Sequence, residues 1–163
     1  MPAYTFANIN AGSQQNITTT PGKSAISIVA ATGAATLRRG WVMEWEIGAD
    51  GVPNSTDCPI VWRIGVITAA GTSTALTPIV NDIGGGDAVA QLTYGSNHTV
   101  EPTYTASQDV WYLPLNQRAS YRIQMRDEWS AIIIPAVNAK GVGFRAFSPN
   151  YASTIGVRGL IRE

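Results

Sequence analysis

Charge, cysteine, histidine and long apolar runs are all scarce in this chain of 163 residues. Charged side chains make up 13% of it, against the roughly 25% usual for soluble domains, so much of the surface is expected to meet other protein. Eleven basic and eleven acidic residues give a formal net charge of zero, which removes any long-range attraction to nucleic acid or an anionic membrane; neither is expected as a partner. Cys58 is the only cysteine, which excludes an intrachain disulfide and with it the stapled secreted scaffold. It precedes Pro59 at a strand start with no basic neighbour in sequence to activate it, and reads as a small buried side chain. His98 is the only histidine, so a histidine metal site or general base has one candidate, with no second ligand at metal-site spacing. No run of about 18 apolar residues occurs, and the opening MPAYTFANINAG lacks a basic segment followed by an apolar core. A soluble protein made in a cytoplasm is expected.

Helical periodicity is missing too, whereas two-residue alternation recurs throughout, so the chain is expected to be all-β. In GWVMEWEIG, Trp41, Met43, Trp45 and Ile47 alternate with Val42, Glu44 and Glu46, which predicts one buried and one wetter face. In PIVWRIGVIT the set Ile60, Trp62, Ile64 and Val66 is the apolar face. YRIQMR sets Tyr121, Ile123 and Met125 against Arg122, Gln124 and Arg126, the half-solvated pattern of an antiparallel sheet. With SAISIVA, VWYLPL, AIIIPAV, VGFRAF, TIGVRGLIRE and an arm strand near Tyr4, about nine strands are expected, separated by Gly- and Pro-containing turns. These predict a single-domain antiparallel β-sandwich of jelly-roll type over residues 24–163, preceded by an extended N-terminal arm over residues 1–23. Pro114 and Pro135 lie within apolar runs, which marks those strands as edges, bulged or interrupted.

The most polar stretch, NDIGGGDAVAQLTYGSNHTVEPTYT at residues 81–105, lacks the Gly-Lys-Ser/Thr ending of a phosphate loop and the glycine spacing of a dinucleotide turn. Asn81, Asp82 and Asp87 offer oxygen ligands to a structural cation, without the alternation and terminal Glu of a calcium loop. A Gly-rich excursion between sheets is the preferred reading. No serine sits in a Gly-x-Ser-x-Gly elbow. Glu44 and Glu46 share a strand face and give the one geometric basis for paired acid–base work on a glycoside, set against an ordinary exposed face. No catalytic, cofactor-binding or metal residue is assigned, no cofactor is expected, and the chain is read as no enzyme. Of five tryptophans, Trp41, Trp45 and Trp62 fall on apolar faces, Trp111 lies in VWYLPL, and Trp129 in RDEWSA is the one expected at the surface, where an aromatic stacks on sugars or proteins. Nine arginines against two lysines lean towards interfaces, where planar guanidinium groups are enriched.

The order of RGWVMEWEIG, VWRIGVITAAGTSTALTP, the Gly/Ala/Thr excursion, PTYT, LPLNQRASYRIQM and IIIPAVNAKGVGF over residues 35–163 resembles the small β-sandwich head-decoration, or cement, proteins of tailed bacteriophages. The likeness is one of strand order and loop character and carries no diagnostic motif. It implies a structural protein of the virion that binds the outside of the capsid as a homotrimer. There it would tie neighbouring major capsid protein subunits together after the shell expands. The arm, residues 2–20, and the excursion, residues 81–105, are then expected to make the contacts. Two other roles stay open: a phage tail, fibre or baseplate component, and a carbohydrate-binding module, which needs two or more exposed aromatics in line.

Overall fold

The alternating patterns become two antiparallel sheets packed together in a computed structural model, which describes residues 1–8, 15–17, 22–31, 37–82, 84 and 89–163. Strand accounts for 62% of the described residues, and there is no helix among them. One sheet holds β1 (Ala3–Ala7), β2 (Gln15–Ile17), β4 (Gly40–Ala49), β7 (Ile79–Val80), β10 (Tyr121–Gln124), β11 (Ile132–Ile134) and β13 (Ser153–Arg162). Its spatial order is β10-β4-β13-β1-β7, with β11 also on β4 and β2 on β13. The second sheet holds β3 (Lys23–Val29), β5 (Pro59–Ala69), β6 (Thr72–Leu76), β8 (Thr93–Val100), β9 (Thr103–Asn116) and β12 (Gly141–Phe147), in the order β6-β8-β3-β12-β5-β9. Pro114 does lie on an edge strand, β9, and Pro135 directly follows the edge strand β11, where neither removes a ladder bond from a central position.

Between the sheets, Trp45, Trp62, Phe6, Phe144, Tyr94 and Tyr151 are fully buried among Ile, Val and Ala side chains. Trp45 sits at the centre, 5.6 Å from Trp111 and 5.9 Å from Phe144 in edge-on contacts and 5.8 Å from Tyr121. Such pairs add about 0.5–1.5 kcal/mol each beyond the area they hide. At one end of the core the buried carboxylate of Glu163 accepts hydrogen bonds from the backbone of Gln91 (2.6 Å) and Leu92 (3.3 Å) and from the Tyr94 hydroxyl (3.1 Å). Burial first, and then the neighbouring carboxylate, push the Tyr94 phenol far above its ordinary range.

Four expectations need correction. Thirteen strands are present among the described residues where about nine were expected, because β2, β6, β7 and β8 are short or polar. The arm is not a separate segment over its whole length: β1 pairs with β13 on one side and β7 on the other, so its backbone groups are already engaged. Residues 9–14 and 18–21 lie outside the described residues. The excursion is narrower than residues 81–105, since β8 and the start of β9 occupy residues 93–100 and 103–105, while Asp87 and its glycine neighbours 85 and 86 are outside the described residues. Finally, Trp41 is only half-buried and Val42 takes the core position instead. The cause is a bulge: Leu160 pairs with Glu44 but the next residue, Ile161, pairs with Val42, leaving Met43 as an extra residue that flips the phase of β4.

Candidate functional site

Two regions of the molecule gather the residues that the sequence singles out. The first is a polar seam on the outer face of the second sheet. There the segment from β8 into β9 folds over β3, β12 and β5, and Tyr104 lies across the bare backbone of Gly143 and Gly65. A Cβ on Gly143 would come within 2.2 Å of the Tyr104 hydroxyl, and one on Gly65 within 2.7 Å of its ring, so those two glycines make the slot. The Tyr104 hydroxyl meets Ser24 Oγ at 2.6 Å, and the Arg145 guanidinium stacks 4.3 Å from its ring centre while bonding Asp109 at 2.6 Å. Burial pushes the Tyr104 phenol well above its ordinary range. Glu101 accepts from the Ser24 backbone at 3.0 Å and pairs with Lys23 at 3.5 Å.

His98 is buried within this seam. Its Nδ1 faces the Ser24 carbonyl at 3.2 Å and its Nε2 faces Ser27 Oγ at 2.9 Å. The carbonyl requires a proton on Nδ1, so Nε2 accepts from Ser27. Burial lowers the His98 pKa, with Glu101 opposing that shift, so the ring is neutral at pH 7. A serine–histidine hydrogen bond alone resembles the start of a nucleophilic pair. Here the second ring nitrogen meets a carbonyl in place of a carboxylate, and both residues are closed to solvent. What the arrangement does is tie β8 to β3 at two points through neutral polar groups.

The other sequence candidates are scattered. Glu44 and Glu46 stand on the outer face of the first sheet, each with an arginine from a flanking strand: Arg122 Nε reaches Glu44 at 2.7 Å, and Arg158 reaches Glu46 at 2.6 and 2.8 Å. Asn81 accepts from Thr5 at 2.7 Å, and Asp82 is exposed beside it. No group of three or more His, Cys, Asp or Glu side chains able to hold a metal occurs among the described residues. Cys58 is buried in the core cluster, as its sequence position suggested.

The second region was not visible in the sequence as a unit. Trp129 is 96% exposed on a turn whose ends are tied together: Asp127 Oδ1 accepts from the Ser130 backbone at 2.9 Å, and Ser130 Oγ reaches the Asp127 carbonyl at 3.0 Å. Beside it a groove of about 550 Å³ opens between the edge strands β9 and β11, lined by Val66, Val110, Trp111, Met125, Ile133 and Pro135 among others. Val110 and Ile133 remain 48% and 46% exposed, and Val137, just past Pro135, 50%. Trp129 was foreseen at the surface; the groove was missed because its walls come from several separate stretches of the chain between Val66 and Val142. Compared with known proteins, the chain matches no family model, no curated protein and no solved structure.

Proposed function

We propose that this chain is a structural contact protein of a tailed-phage virion, a head-decoration or cement protein that binds the outer surface of the capsid as a trimer and stabilises the expanded shell. The observation that carries the reading is the character of the surface. Seven ion pairs link the described side chains to one another, among them Arg122–Glu44, Arg158–Glu46, Arg118–Asp57 and Arg145–Asp109. Large apolar side chains meanwhile face water where the two sheets end. Exposed apolar area at sheet edges is what a protein partner covers, and self-paired charge holds little attraction for a polyanion. The resemblance in strand order and loop character over residues 35–163 supplies the kind of partner: the major capsid protein and further copies of the chain. A jelly-roll connectivity belongs to the same reading, and the repeated passage of the chain from one sheet to the other supports it.

The mechanism is linkage: each bound copy stabilises the shell state it prefers by RT ln(1 + [L]/Kd), with no bond made or broken. Co-sedimentation with emptied, expanded phage heads tests it. Saturable binding that raises the temperature of head disruption is expected; absence of binding to heads of every stage would sink it. Trp129 favours a second reading, a carbohydrate-binding module, whose signature is a glycan signal lost on Trp129→Ala.

A further inference from the structure

The Trp129 turn and the groove beside it lie on one surface, a projecting indole next to an apolar hole. We infer that this surface joins copies of the chain to each other, with Trp129 of one copy seated in the groove of the next, against Val110, Met125, Ile133 and Pro135. The inference rests on the reading above only in taking contact as the chain's role, and it says which surface makes the contact between copies.

Three observations select a second copy as the occupant. The surface carries both complementary parts side by side, so rotating one copy against another satisfies knob and hole together, whereas a different partner would need to match only one of them. The formal net charge is zero, so copies do not repel. The exposed parts of Trp129, Val110, Ile133 and Val137 amount to on the order of 500 Å² per copy, more than half of the roughly 800 Å² per partner of a standard stable interface, before any rim is counted. The turn also suits the task. The reciprocal Asp127–Ser130 bonds fix the turn that carries Trp129 before binding, so little loop freedom is lost on docking, and tryptophan at the centre of an interface is among the commonest hot spots.

Light scattering over a dilution series, with far-ultraviolet circular dichroism as a folding control, tests this on the full chain. Wild type is expected at a multiple of 17.3 kDa. Trp129→Ala and Ile133→Glu are each expected to weaken association at least tenfold while leaving the spectrum and melting temperature near wild type, and Ile79→Glu, at the opposite edge of the first sheet, to leave the mass unchanged. A wild type that stays monomeric up to 100-fold dilution from its highest soluble concentration, or groove variants that keep the wild-type mass, overturns the inference. Head binding is read in parallel. Variants of unchanged mass that lose head binding overturn the self-contact and leave the cement reading standing. A wild type that associates through Trp129 but ignores heads supports the self-contact and overturns the cement reading.

Discussion

His98 shows how far a single side chain is defined by its surroundings. From the sequence it was a lone ionisable group in a polar stretch; in the fold it is a neutral hydrogen-bond bridge between the Ser24 carbonyl and the Ser27 hydroxyl. Its folded pKa lies below the unfolded value of 6.5, chiefly through burial, with Glu101 pulling it up and Lys23 pushing it down. The unfolded chain therefore binds a proton that the folded chain refuses over the interval between those two values. Stability is full above about pH 6.5 and falls as the pH drops through that interval, levelling off once the folded ring is protonated too. Urea titrations between pH 7.5 and 5.5 should show this loss with a slope of at most one proton. A His98→Gln variant, less stable at pH 7 through its altered hydrogen bonds, should lack the slope. An unchanged slope in that variant would place the titrating group elsewhere.

At the scale of elements, the strands with one wet face were legible and those covered on both sides by unlike neighbours were not. β10, β13 and β4 from Glu44 onward follow their alternation because one face meets the aromatic core and the other meets water or a paired charge, while β5 and β12 do so only where Tyr104 does not cover Gly65 and Gly143. β8 escaped notice since Gly95 and His98 are buried against Ser27 and Ser96 is buried as well, so polar residues occupy covered positions and the two-residue signal vanishes. The Met43 bulge shifts β4 by one residue, which no periodicity at the other end of the strand announces. Where β4 is regular its two faces differ sharply in energetic weight. The guanidinium-bearing side chains of Arg122 and Arg158 are 59% and 66% exposed, so their pairs with Glu44 and Glu46 are worth no more than about 1 kcal/mol each. Replacing both glutamates by Gln should cost less than ~2 kcal/mol in urea unfolding, whereas Trp45→Ala, which empties the centre of the core, should cost ~3–5 kcal/mol. A double glutamine variant as damaging as Trp45→Ala would mean that the outer face of β4 does more than hold the sheet together.

The whole molecule is built almost without local pairing. No two strands consecutive in the chain are neighbours in a sheet among the described residues, so no hairpin is available as a nucleus, and each ladder closes a long loop before it gains a hydrogen bond. The extreme case lies in the middle of the first sheet, where β1 pairs with β13 through Ala3 with Arg162 and Tyr4 with Ile161. That pairing also brings Glu163 N within 3.2 Å of the Pro2 carbonyl, so the two ends meet at the open end of an antiparallel ladder. Joining them through a short Asn-Gly turn converts the most distant pairing of the fold into a hairpin. A new opening between Asn138 and Ala139 cuts an exposed turn at a residue whose φ of 57° is strained for alanine. Such a permutant keeps the contacts of the native sandwich but lowers their mean separation in sequence. It should therefore refold several-fold faster than the parent chain in stopped-flow fluorescence of the buried tryptophans, with an unfolding limb little changed because the native contacts that must break are the same. Equal refolding rates would show that the β1–β13 ladder forms after the rate-limiting step, and would move the nucleus to the central strands β3, β12 and β5 of the second sheet.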